Sequence, residues 1–262
     1  MAPQRSTAKW IVVLLFLAAA VAAAYFAFNR RPVQQTKTAP SAVQATEQAV
    51  RPLGGDAASI ALPPLDQSDA VVADLVRKLS SHPRVAAWLT TPGLIRNFTA
   101  VTLRIADGKT PAKMLLPLRP DGAFRVAERD GGIYIDSRSY DRYRPIAEAV
   151  ASIDARGSAS LYATLKPRIE EAHRELGQPD GSFDRTLERA IVELLETPVR
   201  SGQVRVQPHG GIGYGFADSR VEDLTAPQKQ LLRMGPENAR IVQAKLREIA
   251  LALGIPPQRL PR

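Results

Sequence analysis

The chain has 262 residues, 35 Lys and Arg against 26 Asp and Glu, a net charge of +9 and no Cys. The lack of Cys excludes disulfides, thiolate zinc sites and Cys nucleophiles. Residues 1–65 carry Arg5, Lys9, Arg30, Arg31, Lys37 and Arg51 against Glu47 and Asp56; this leaves only +5 of the +9 to the rest, short of the dense basic stripe of a nucleic-acid binder, and no nucleic-acid partner is expected.

Residues 10–28 read WIVVLLFLAAAVAAAYFAF, 19 residues without charge, Pro or Gly. As a helix the run covers about 28 Å, close to the roughly 30 Å of a bilayer core. A cleaved leader is the alternative, with Arg5 and Lys9 as its basic start and Ala22 to Ala24 as small residues for cleavage. The run continues through Tyr25, Phe26 and Phe28 and stops at Arg30-Arg31, which favours a retained span. Trp10 and Tyr25 then fall at the two headgroup belts. Basic residues flank both ends, so the positive-inside rule is close to a tie. The short tail before Trp10 favours an inside amino terminus and an exported body, while Arg30-Arg31 argues the other way.

The expected order is a cytoplasmic tail (1–9), a transmembrane anchor (10–28), a flexible linker (29–64) and a helical globular domain (65–262). The linker is rich in Ala, Gln, Thr, Ser, Val and Pro without a sustained period, and it closes on Pro63-Pro64. Ser68 is a candidate N-cap for a helix with Val72, Leu75, Val76 and Leu79 on one face, which His82-Pro83 stops. A short helical turn carries Val85 and Trp88. Thr91 is then read as the cap of a helix with Pro92 at its first position and Leu94, Phe98, Val101 and Ile105 in its stripe, ending at Asp107-Gly108.

Residues 113–119 and 124–126 read as loop with a little strand. Asp136 or Ser137 starts a helical region that resumes after Pro145 and runs to about Ile153. Residues 158–176 are amphipathic, with Leu161, Leu165, Ile169, Ala172 and Leu176 on the buried stripe and Pro167 expected to kink or split the helix. Residues 182–196 form the next helix. Residues 204–216 change to period two around His209-Gly210-Gly211, the signature of a β-hairpin near 203–217. Thr225 caps a helix that ends at Gly235, and Pro236 opens a last helix closed by Gly254. The fold class is therefore mainly α, with one small β-hairpin.

Taken in order, the stretches LPPLDQSDAVVADLV, HPRVAAWLTTPGLIRNF, IDSRSYDRYRPIAEAVASID, LYATLKPRIEEAHRELG, FDRTLERAIVELLETP and LTAPQKQLLRMGPENARIVQAKLREIALALGIP resemble the domain-of-unknown-function 3014 family. The resemblance covers roughly residues 60–260. It implies a bacterial protein with one N-terminal span and a domain outside it, and it brings no catalytic motif.

The chemistry-bearing residues are few. His82, His173 and His209 form no HxxxH pair; Glu170-x-x-His173 is half of a ferritin-like carboxylate pattern and lacks its second half, so a solvated helix face is the simpler reading. His209-Gly210-Gly211 has no GxSxG partner elsewhere in the chain, and a turn explains it. Glu170/Glu171, Glu222/Asp223, Asp180 and Asp184 supply carboxylate pairs for a hydrolase, whose spacing sequence does not give. No catalytic residue, metal ligand or cofactor is assigned.

Residues 134–144 interleave Tyr134, Tyr140 and Tyr143 with Arg138, Arg142 and Arg144, a composition suited to contact with glycan, peptide or lipid headgroup. Tyr134, Arg138, Tyr140, Arg142 and Tyr143 are the candidate binding residues, set against half-buried tyrosines and solvated arginines as the alternative; Arg233, Arg240 and Arg247 form a weaker set. The expectation is a non-catalytic binding or scaffold module of the bacterial inner membrane, its body in the periplasm, with an envelope protein or the cell wall as partner. The alternatives are an envelope hydrolase and a cytoplasm-facing regulator.

Overall fold

The computed structural model describes residues 52–262 except 179–180 and 211–212. The anchor expected over residues 10–28, the tail before it and the linker up to residue 51 lie outside the described residues. Among the described residues no helix is long and apolar enough to cross a membrane.

Residues 52–64, within the stretch read as linker, lie on the body as an extended strap. Gly54 N donates to Leu253 O and Gly55 N to Ala159 O, both at 3.0 Å. Ala58 N reaches Thr164 Oγ1 at 2.9 Å, and Leu53 is buried. The apolar residues here, Leu53, Ile60 and Leu62, follow no sustained period, so periodicity gave no sign of docking; Leu53 and Leu62 pack on the core, and the backbone N–H groups complete the attachment.

The helices follow at Asp69–Arg77 (α1), Pro83–Trp88 (α2), Leu94–Ala106 (α3), Arg138–Asp141 (α4), Arg144–Ala151 (α5), Ala155–Glu175 (α6), Phe183–Leu195 (α7), Ser219–Glu222 (α8), Ala226–Arg233 (α9) and Pro236–Ala252 (α10). Half of these begin on a side-chain cap from the preceding residue. Asp154 accepts from Arg156 N and Gly157 N at the start of α6, and Thr225 with Gln228 forms a capping box on α9.

Three starts differ from expectation. Ser68 precedes α1 without capping it, its hydroxyl donating back to Leu65 O at 2.8 Å. His82-Pro83 opens α2 rather than stopping α1: His82 Nδ1 accepts from Arg84 N at 3.1 Å and Pro83 takes the first position, where its missing N–H is not needed. Helix α3 begins at Leu94, not after Thr91. Its cap is the Asp69 carboxylate of α1, which accepts from Gly93 N at 2.7 Å and Leu94 N at 2.8 Å. Helix α6 is one continuous helix of 21 residues through Pro167, not two.

The strands Val126–Arg129 (β1), Gly132–Ile135 (β2), Arg205–His209 (β3) and Gly213–Phe216 (β4) form one antiparallel sheet in the order β1-β2-β3-β4. The expected hairpin is its β3–β4 half. The other half is a second hairpin that turns at Asp130-Gly131, both with positive φ (48° and 69°), as a two-residue primed turn requires. Ile133 pairs with Val206 and Val206 with Phe216. Ile135, Val206 and Phe216 bury one face of the sheet.

The helical core centres on Leu94, Phe183, Leu165, Ile169 and Ile191. A second cluster joins Tyr143 and Ala147 to Leu231, Met234 and Val242.

Candidate functional site

The apolar stripes of the helices do not close completely on one another. They enclose a cavity of about 400 Å³, within the range of small-molecule sites. Val72 and Val76 of α1, Val85 and Trp88 of α2, and Leu94, Phe98 and Val101 of α3 line one part. Ile146 and Val150 of α5, Leu161 and Leu165 of α6, and Leu246 and Ile249 of α10 line another. Leu115 and Leu118 come from a flap of two short 3-10 turns, Ala112–Met114 and Leu116–Leu118. Val76, Trp88, Phe98, Val101, Leu118 and Ile146 line the cavity and are only half-buried.

The polar side chains that reach the wall are tied back into the protein. Trp88 Nε1 donates to Asn97 Oδ1 at 3.2 Å, and Asn97 Nδ2 donates to Met114 O at 3.0 Å, which pins the flap to α3. Ser158 Oγ donates to Asp154 O at 2.6 Å. Tyr162 Oη donates to Asp184 Oδ1 at 2.5 Å, behind the wall. Burial, and next that bond to the Asp184 carboxylate, push the Tyr162 hydroxyl far above the ordinary tyrosine range, so it stays a donor. Asp184 also accepts from Lys166 Nζ at 2.5 Å and Leu53 N at 3.1 Å, joining strap, α6 and α7 in one polar knot.

Arg84 is the one charged lining residue among the described residues. Its side chain is 23% exposed and pairs with the Asp121 carboxylate, which is 83% exposed. Arg84 therefore stands where the cavity meets solvent. Ser80 also lines the cavity, and its Oγ lies 2.6 Å from Ser152 Oγ. Chemically, the arrangement offers an apolar interior, one cation at the edge and no nucleophile and base facing each other.

The residues singled out in the sequence lie elsewhere and do not converge. Tyr134 sits half-buried in β2, opposite Ala127 and Arg205. Arg138 is exposed and grips Asp136 through its guanidinium and backbone N–H, holding that carboxyl down at about 2. The Tyr140 ring lies against Gly235, and its hydroxyl is buried without a partner among the described residues. Arg142 lies 5.3 Å over the Tyr143 ring and donates to Gly122 O at 3.3 Å. Tyr143 belongs to the second core cluster, and its hydroxyl accepts from Gln230 Nε2 at 3.2 Å. Of the weaker set, Arg233 lies 5.0 Å over the Phe216 ring and Arg240 donates to Ser201 Oγ.

His173 corrects the reading of a solvated face. It is 1% exposed and meets the Phe183 ring edge-on at 5.3 Å, with Nδ1 4.0 Å from Glu170 Oε2. Of the candidate acids, Glu170 is engaged by Phe183 N, Glu171 by Arg168, Asp184 by Tyr162 and Lys166, and Glu222 by Phe216 N and Lys229, while Asp180 lies outside the described residues. Among the described residues no group of three or more His, Asp or Glu side chains is placed to share an ion.

Sequence reasoning missed the cavity while naming much of its wall. Leu94, Phe98 and Val101, and Leu161, Leu165 and Ile169, were read as stripes, and all six line it. A stripe says which face is apolar; it is silent on whether the opposite face fills the space. Leu176, assigned to the same stripe, is 42% exposed beyond the end of α6.

The model of a family described as "Protein of unknown function (DUF3014)" matches residues 94–250, a span that takes in α3 through most of α10. No curated protein and no solved structure matches the chain.

Proposed function

We propose, for a chain that belongs to the DUF3014 family, a single-pass inner-membrane protein whose helical body stands in the periplasm and works by non-catalytic binding. The observation that carries the binding reading is the cavity of about 400 Å³ whose wall polar groups are all bonded within the protein. Such a wall gives affinity through apolar burial and offers no group to a reaction. The apolar run at residues 10–28 supports the anchor. An envelope protein or the cell wall remains the partner proposed for the outer surface.

The test places a photoreactive residue at Leu118, in the flap, and at the exposed Arg220 of α8 as control, in the full chain in living cells. After irradiation the purified chain is weighed. A small-molecule adduct at Leu118 and not at Arg220 is expected; equal results at the two positions, or an adduct to protein alone, overturn the cavity as the binding element. A reporter that works only in the cytoplasm, fused after Arg262, is expected to be silent, and its activity overturns the periplasmic placement.

A further inference from the structure

We infer that the cavity takes a single acyl chain whose anionic head, carboxylate or phosphate, rests on Arg84. The inference builds on the binding reading above and names the ligand class. Its first ground is the interior. Asn97 has spent its carbonyl on Trp88 and its amide on Met114, Tyr162 has spent its hydroxyl on Asp184, and Ser158 has spent its own on Asp154. A ligand carrying hydroxyls or ring nitrogens into this space would give up its hydrogen bonds to water and find none in return. A methylene chain gives up nothing and gains by burial, about fourfold in affinity per methylene.

The second ground is the rim. Arg84 lines the cavity and carries the guanidinium fork that fits a carboxylate or phosphate with two parallel bonds. Its present partner, Asp121, is 83% exposed, so this is a surface pair that an incoming anion can replace at little loss.

The third ground is the field around the opening. The flap that contributes Leu115 and Leu118 to the wall lies in the sequence KTPAKMLLPLRP, between Asp107 and Asp121; it has Lys109, which pairs with Asp107 at 3.5 Å, and Lys113 and Arg119 on either side of the two leucines. All three cations are exposed, and Leu116 between them is 65% exposed. A basic, apolar edge beside an apolar cavity draws in an amphiphile that is negative at one end.

The experiment uses the full chain in phosphatidylcholine nanodiscs with three photoactivatable probes of equal chain length: a fatty acid, a lysophosphatidic acid and a neutral fatty alcohol. Labelled peptides are mapped, and peptides from residues 10–28 give the lipid-contact reference. Labelling of peptides from α2, α3 and α6 is expected to be at least fivefold stronger with an acidic probe than with the alcohol. Labelling by the fatty acid alone identifies a free acid as the source, and labelling by the phosphate probe alone identifies a phospholipid. Arg84→Gln is expected to remove the preference and Arg84→Lys to keep most of it, each checked for an unchanged melting temperature. Alcohol labelling equal to acid labelling, or a preference that survives Arg84→Gln, overturns the anionic head. No labelling by any probe, alongside a small-molecule adduct at Leu118 in cells, overturns the acyl class and leaves the binding reading standing.

Discussion

Asp69 caps a helix to which it does not belong. Its carboxylate accepts the N–H groups of Gly93 and Leu94 at 2.7 and 2.8 Å, so the first turn of α1 satisfies the open start of α3. The negative charge also sits at the positive end of the α3 dipole. The contact fixes the angle between two helices that both line the cavity.

Asp69→Ala is therefore expected to destabilise the body by about 1–2 kcal/mol, the usual loss for a helix cap. For a body of this size the melting temperature falls by roughly 2–8 °C. Asp69→Asn, which keeps an acceptor and loses the charge, is expected to fall between. A melt of Asp69→Ala that coincides with the parent would show that solvent caps α3 equally well.

Val101→Phe tests the cavity as a volume. In a close-packed core the added atoms cost about 1–3 kcal/mol. Val101 instead is half-buried and faces the cavity, so the ring has room and gains apolar contact. Stability is expected to stay within about 1 kcal/mol of the parent or to rise, while photolabelling of the cavity wall drops at least fivefold. Urea unfolding and the labelling yield give the two readouts, and a loss near 3 kcal/mol would mean that the space is not available.

Where a helix signal is local it was legible: Thr225 reads as a cap in the sequence and acts as one in the structure. The α3 start was not, because its cap is 25 residues away in the chain. The β1–β2 hairpin was marked by Asp130-Gly131, a strong turn signal, but its strands are four residues each and alternate weakly. The Tyr and Arg run of residues 134–144 read as one surface and divides in three dimensions, with Tyr143 in a core and Arg138 in solvent. Period and composition assign faces; they do not say which faces meet.

Gly235 and Tyr140 give a paired prediction. A Cβ on Gly235 would stand 2.4 Å from Tyr140 Cγ, and the residue has φ +86°, so Gly235→Ala combines a clash with a disfavoured backbone. A loss of about 2 kcal/mol or more is expected. Tyr140→Phe should behave in the opposite way. Burial raises the pKa of its hydroxyl, which lacks a partner among the described residues, and removing it is expected to leave stability unchanged or higher by about 1 kcal/mol. A clear loss in Tyr140→Phe would mean that the hydroxyl is bonded in solution.

Glu222 makes the junction of β4, α8 and α9 sensitive to acid. Its Oε2 accepts from Phe216 N at 2.8 Å, and Lys229 Nζ reaches its Oε1 at 3.1 Å. The Phe216 N–H bond first, and the Lys229 ammonium after it, hold the carboxyl below its ordinary value of 4.5. A carboxyl depressed on folding adds stability that is complete above its unfolded value and is lost as pH falls through its folded one. Glu222→Gln keeps an acceptor and removes the charge, so it is expected to be less stable than the parent by about 1 kcal/mol near neutrality. That difference should hold down to about pH 5 and shrink below it as the parent's own carboxylate takes up its proton. Urea titrations of parent and variant between pH 3 and 7 give the curve. A difference that stays constant through this range would place the effect of the substitution in packing and not in charge.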